Sequence, residues 1–445
     1  MIKDLTMGSP KKMLWLYSLP MFISVIFQQI YNIADSVIVG KFVGEDALAA
    51  VGASYPITML FMAVAVGSNI GCSVVISQYF GAKKMGRLKT AVSTILISTL
   101  VISGVLTIIG VLLSGIFMKI VNTPENIFDS GNMYLKIYNA GFIFLYFYNV
   151  ATGIFNSLGD SRTPLYFLIG SSVGNIVLDL VFVVVFNMGV AGAAAATVIA
   201  QGAACILALI TLKFRISAIK TDEESEKFSW DMFKNVSSIA VPSILQQSFI
   251  SIGNLFIQVL VNGFGSSVIA GYSAAVKLNT FTVTSFTTLG NGVSGFTAQN
   301  VGAGKLDRVK EGFKGGFMLA ALLAIVSFIV FFFFGDWAIG LFMDEGGTKA
   351  LETGKMFLKI VSPFYIVVCV KLTADGVLRG AGAMGYFMVA TFTDLILRVI
   401  LSFVLSMAIG ETGIWLSWPI GWTIATVMSL YFFLSGKWKK AYTFS

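Results

Sequence analysis

Twelve long apolar stretches run through the chain, separated by short polar or glycine-containing connections. A helix that crosses a bilayer needs about 20 mostly apolar residues. Stretches of that kind lie at approximately 13–40, 48–78, 90–117, 131–157, 163–186, 189–212, 236–263, 268–298, 313–335, 355–378, 385–408 and 412–435. They predict an all-α polytopic membrane protein with twelve transmembrane helices, several long enough to tilt or bend. Prolines at 20, 56, 242, 363 and 419 fall inside or near the ends of these spans, where each removes a backbone donor and can kink its helix.

The connections alternate in sign. Lys83, Lys84, Arg87 and Lys89, then Lys213, Arg215 and Lys220, then Lys305, Arg308 and Lys310, and finally Lys437, Lys439 and Lys440 all follow even-numbered spans; Lys3, Lys11 and Lys12 precede the first. The opposite connections are short and acidic, with Glu45, Asp46, Glu125, Asp129, Asp344, Glu345 and Glu411. Basic residues collect on the cytoplasmic side, so both termini are expected there. Residues 213–234 form the one sizeable linker and separate an N-terminal six-helix lobe, 1–212, from a C-terminal one, 235–445.

The two halves repeat each other. Gln78, Gly81, Ala82, Lys84, Arg87 and Lys89 recur as Gln299, Gly302, Ala303, Lys305, Arg308 and Lys310, an offset of 299 − 78 = 221. Pro20 recurs as Pro242, and GIFNSLG at 153–159 as GVLRGAG at 376–382. With six spans in each half the repeat is parallel, giving two pseudo-symmetric six-helix lobes related by an axis along the membrane normal. Paired bundles of this kind enclose a central site and alternate its access by rocking. Gly67–Gly71, Gly170–Gly174, Gly312–Gly316 and Gly376–Gly380 have the spacing that lets helix backbones approach closely.

Composition sharpens this in two respects. The residues are 56% hydrophobic and only 12% charged, against about 25% charged in soluble domains. The net charge of +8 sits in the basic connections, so it marks membrane orientation and not a nucleic-acid surface. Cys72, Cys205 and Cys369 lie in apolar stretches and read as small core residues. The run from Met13 to Val39 is longer than the core of a cleavable signal and is expected to remain as the first helix.

Polar residues inside the spans carry the chemistry. Asn175 and Asp179 lie one turn apart on one helix face, and Asp35 sits in the middle of the first span. A carboxylate at that depth costs roughly 2.5–3.5 kcal/mol, so such residues mark an ion or substrate path. There is no histidine, which removes triads, His metal sites and the usual neutral-pH proton relay. The chain therefore reads as a transporter, not an enzyme. A proton crossing the membrane interior would ride on carboxylates; two neighbouring aspartates with amide and hydroxyl oxygens could instead cradle Na⁺. GAGK at 302–305 is followed by Leu306 where a phosphate loop needs Ser or Thr, and the repeat explains it better. No cofactor is implied beyond a coupling ion, H⁺ or Na⁺.

The second half adds Lys277, Lys371, Asp375, Asp394 and Arg398 inside spans. Asp394 and Arg398 are one turn apart and are expected to pair, whereas Lys277 and Lys371 suggest an aqueous cleft. Phe27, Tyr31, Tyr146, Phe147, Tyr148 and Phe155 could line a pocket for flat organic cations, although core packing is the more ordinary role for each.

The combination of twelve spans in two homologous halves with YNIADSVIVGKFVG, SQYFGA and FNSLGDSRTP resembles the multidrug and toxic compound extrusion (MATE) transporters along nearly the whole chain. The resemblance implies a cation-coupled exporter built as a V-shaped pair of six-helix lobes. It also implies a first-lobe network of Asp35, Asn175, Asp179 and Thr197, with Gln28 and Tyr31 associated and Pro20 where the first helix can bend. One departure stands out. Members with a second-lobe Na⁺ site carry a seventh-helix Glu, where this chain offers Gln246 and Gln247, so Asp375 lacks that partner. The expected function is antiport of amphipathic, cationic drugs out of a bacterial cytoplasmic membrane by a monomer, with a lipid-linked oligosaccharide flippase as the alternative.

Overall fold

A computed structural model describes residues 2–341 and 348–440, and these are all-α, with no strand among them. The external acids Asp344 and Glu345 lie outside the described residues. The first half of the chain forms α1 (Pro10–Phe42), α2 (Glu45–Gly81), α3 (Met85–Leu112), α4 (Ser114–Ile120), α5 (Glu125–Ala140), α6 (Phe142–Ser157), α7 (Arg162–Asp179) and α8 (Gly189–Ser217). The second half forms α9 (Trp230–Asn262), α10 (Ser266–Gly302), α11 (Leu306–Phe333), α12 (Gly335–Gly340), α13 (Thr348–Val361), α14 (Tyr365–Gly380), α15 (Met384–Ile409) and α16 (Glu411–Leu434).

All twelve expected spans correspond to helix here, and among the described residues ten are long and apolar enough to cross a membrane on those criteria alone. The other two have physical reasons to fall short. The fourth span is interrupted at Gly141, where the Val198 side chain of α8 presses on the bare Cα and separates α5 from α6. The eighth, α10, is continuous but rich in Ser, Thr and Asn. Pro363 also breaks its span, in a 3-10 turn over Ser362–Phe364, whereas Pro20, Pro56, Pro242 and Pro419 sit inside continuous helices. The chain is a multi-pass membrane protein.

The helices group into two compact units, and the grouping does not follow the linker. The first unit holds residues 1–4 and 19–248, and the second holds 5–18 and 249–445. The opening of α1 thus packs with the second unit and the opening of α9 with the first. In α1 the change of unit falls between Ser18 and Leu19, beside Pro20.

In the second unit the repeated basic loop holds the borrowed segment, and in the first the same loop and the start of α3 hold the linker that leads into α9. In the second unit Arg308 donates to the carbonyls of Leu5, Met7 and Gly8 at 2.8–3.1 Å, Lys305 donates to Thr6 O at 2.9 Å, and Gln299 Oε1 accepts from Leu5 N. GAGK therefore holds backbone carbonyls, not a phosphate. In the first unit Thr90 and Thr94 accept from Glu226 N and Ser229 N at 3.0 and 3.1 Å, and Glu223 accepts from Gly86 N.

Three of the four glycine pairs sit at close helix crossings. A Cβ on Gly67 would lie 2.6 Å from Ile244 Cα, one on Gly312 2.6 Å from the Phe296 ring, and one on Gly376 2.5 Å from the Gly290 carbonyl oxygen. Gly170 and Gly174 face open space. Gly153, the repeat mate of Gly376, likewise abuts the Asn69 carbonyl at 2.8 Å, so both units use the same contact.

Candidate functional site

The expected polar network assembles inside the first unit, from α1, α7 and α8. α7 brings Asn175 and Asp179 to one face, and directly after Asp179 its regular turns widen into a π-helical segment, Leu180–Val185. Such segments leave backbone groups out of register and recur at functional sites. With the Asn175 amide oriented to match all its partners, it donates to Asp179 Oδ2 at 2.8 Å and accepts from Thr197 N at 3.1 Å. The Thr197 hydroxyl donates to Ala193 O at 3.1 Å, and Tyr31 of α1 hydrogen-bonds that same hydroxyl. One turn beyond Tyr31, the Asp35 carboxyl neighbours that of Asp179.

Asp179, Asn175 and Thr197 are 0%, 2% and 5% exposed, while Asp35 is half-buried. Asp35 Oδ1 and Asp179 Oδ1 are both shut from solvent without a hydrogen-bond partner. Among the described residues no Lys or Arg forms an ion pair with either acid. Two acids in contact, two orphaned oxygens and an amide and hydroxyl alongside are a donor set suited to a proton or an oxygen-liganded monovalent cation.

On one side of this pair lies a cavity of about 100 Å³ whose walls include Gln28, Tyr31, Tyr148, Asn149, Asn175 and Thr197. On the other side Ile38, Val39, Tyr134, Val183, Ala193 and Ala194 form a dry cluster. Tyr134 of α5 stands beside Asp35, and Tyr138 stacks with it, ring centroids 6.2 Å apart. These two were not among the residues expected from the sequence. Their signal there is two tyrosines one turn apart in the least apolar part of the fourth span.

The remaining candidates fall elsewhere. Pro20 is buried in α1, Phe147 is half-buried on α6, and Phe155 is 1% exposed with its ring beside Phe167. Tyr146 is likewise buried, bonded to Ser68 at 2.7 Å. Gln246 is buried with Oε1 unpartnered, Gln247 is half-buried, and Lys277 is exposed on α10.

The second-unit charges differ from expectation. Lys371 is 4% exposed, and its ammonium lies 2.8 Å from Asp375 and 3.8 Å from Asp394. Asp394 therefore faces Lys371, while Arg398 stacks over Trp418 at 4.5 Å in place of the expected ion pair. Asp375, 2% exposed, is a buried partner of Lys371 and Ser429. A one-turn spacing permitted the Asp394–Arg398 pair; the adjacent indole face gave the guanidinium another seat.

Membrane-length helices in two repeated units, with two acids free of ion pairs next to the cavity walls Asn175 and Thr197, match a membrane transporter of the two-lobed class. The chain belongs to the MatE family, whose model matches twice, over residues 20–181 and again over 242–404. It is 27% identical over 438 residues to a protein of Bacillus subtilis named as a probable multidrug resistance protein, YpnP, covering 98% of this chain and 97% of that one. It is 22% identical over 401 residues to the multidrug export protein MepA of Staphylococcus aureus, covering 89% and 88%. Among solved structures, a multidrug resistance MATE family transporter superimposes with a TM-score of 0.91 at 21% identity, covering 99% of this chain and 98% of that one.

Proposed function

We propose that the protein exports amphipathic organic cations from a bacterial cell across its cytoplasmic membrane, driven by inward movement of H⁺ or Na⁺ through Asp35 and Asp179. The observation that carries this reading is the pair of acids free of ion pairs next to the cavity walls Asn175 and Thr197. Two carboxylates in contact repel each other when both are ionised. Binding a proton, or Na⁺ beside Asn175 and Thr197, relieves the repulsion. An incoming drug cation is attracted to the charged state and released from the neutralised one, which is coupling through differential affinity. The walls of this cavity carry no Lys or Arg, whereas a lipid-linked oligosaccharide flippase calls for a cationic one. The names of the relatives agree with drug export.

Proteoliposomes with imposed gradients test the reading: ethidium export accelerates when H⁺ or Na⁺ is supplied on the opposite side, and a rate indifferent to both rules it out. Its pH dependence has a definite sign. Protonation opposes substrate, so ethidium affinity weakens as pH falls from 8 to 5, and the Asp35→Asn protein shows a flat profile. Basic connections place the linker in the cytoplasm. A cysteine at Glu224 in an otherwise cysteine-free protein should resist impermeant thiol reagents in intact cells and react after permeabilisation; labelling from outside would invert the orientation.

A further inference from the structure

We propose that the second unit contains a seat for a monovalent cation that is permanently filled by the chain's own Lys371 ammonium. The proposal goes beyond the coupling function assigned to the first unit and stands on a separate set of residues. Asp375 on α14 and Asp394 on α15 come from different helices and converge on one amine, at 2.8 and 3.8 Å. The Ser429 hydroxyl of α16 donates to the other oxygen of Asp375 at 2.6 Å, fixing that carboxylate with one oxygen aimed at the amine. Asp394, 6% exposed, keeps its Oδ1 unpartnered, and the absence of a side chain at Gly421 makes room for it: a Cβ there would lie 2.8 Å from that oxygen. Two carboxylates from separate helices with a hydroxyl behind them are what a hard cation uses as ligands, and an ammonium makes the same demand for oxygens.

The repeat shows what has been exchanged. The matched segments at 153–159 and 376–382 differ by 376 − 153 = 223, and carrying that offset along α7 and α15 places Arg398 opposite Asn175 and Ser402 opposite Asp179. The amide of the first unit is thus replaced by a guanidinium and its carboxylate by a hydroxyl. Ser402 in turn forms a neutral pair with Ser417 at 2.7 Å. The first unit presents acids without a fixed cation; the second supplies one, Lys371, to its acids. The Lys371 ammonium occupies the place between the two carboxylates, so the second unit binds no exchangeable cation and its polar core is indifferent to the ion gradient.

The test removes the tethered amine. In full-length protein carrying Asp35→Asn and Asp179→Asn, which silences the first unit, Lys371→Ala leaves two acids and a space between them. This variant in detergent should gain one saturable site for Rb⁺ or Na⁺ per chain, and its unfolding midpoint should rise by several degrees in NaCl, RbCl or methylammonium chloride relative to choline chloride. The parent with Lys371 intact, and its Lys371→Arg version, should show neither effect. Saturable Rb⁺ or Na⁺ binding by the parent would overturn the proposal. So would a Lys371→Ala protein that folds without binding, or one that stays unfolded in every one of these salts.

Discussion

Asp35→Asn and Asp179→Asn are each expected to abolish gradient-driven export while leaving folded protein in the membrane. One-for-one exchange of H⁺ or Na⁺ for a drug cation moves no net charge, so a tenfold ion gradient, worth about 1.4 kcal/mol, sustains about a tenfold drug gradient. An asparagine can neither release a proton nor balance a cation, so in either variant that gradient collapses to none. The fold should survive because the substitution is isosteric, and at position 179 the Asn175 amide still finds an oxygen to donate to. Ethidium accumulation in energised cells, normalised to the amount of membrane-inserted protein, is the measurement. The second unit gives the contrast. Asp394→Ala leaves Lys371 with Asp375 as its single acid and should lower expression more than turnover per molecule. Normal export by Asp35→Asn, together with abundant but inactive Asp394→Ala, would move the coupling site to the other unit.

Gly376→Val is expected to eliminate folded protein, whereas Gly174→Val should be tolerated. Both glycines belong to the same kind of small-residue spacing, but a Cβ at 376 meets the Gly290 carbonyl at 2.5 Å, and a backbone oxygen in α10 cannot swing aside. Separating α14 from α10 would strip packing along the whole crossing, including the neighbouring contact of Gly380 with the Ser294 carbonyl, at a cost of more than about 4 kcal/mol. At Gly174 no atom lies within 4 Å of the added carbon. Fluorescence-detected size-exclusion profiles of the two variants separate these outcomes; equal monodisperse yields would contradict the assignment.

The spans, their repeat and the acid couple were legible because each is a local property of the sequence: length of an apolar run, a recurring loop, a carboxylate where hydrocarbon is expected. What was not legible depends on neighbours. The break at Gly141 needs Val198 from another helix, and the π turn after Asp179 leaves no mark in LVFVVV. Tyr134 and Tyr138 looked like two more aromatics in a chain with 14 tyrosines until α5 was set beside Asp35. Lys371 misled for the opposite reason. Its own i, i+4 partner Asp375 was in plain view, but the one-turn spacing of Asp394 and Arg398 offered an equally plausible local pair, and only the Trp418 ring decides between them.

The exchange of helix openings between the units bears on how the protein can be made. A ribosome delivers the chain from the N-terminus, yet the first unit is incomplete until residues 230–248 have emerged, because Ile244 and Ala240 cover the bare faces of Gly67 and Gly71. Residues 5–18 wait for Gln299, Lys305 and Arg308, which arrive nearly 300 positions later. Neither half can therefore mature as a free-standing piece during translation, and a gene cut within 213–229 should yield two fragments that are each degraded alone and persist only when produced together.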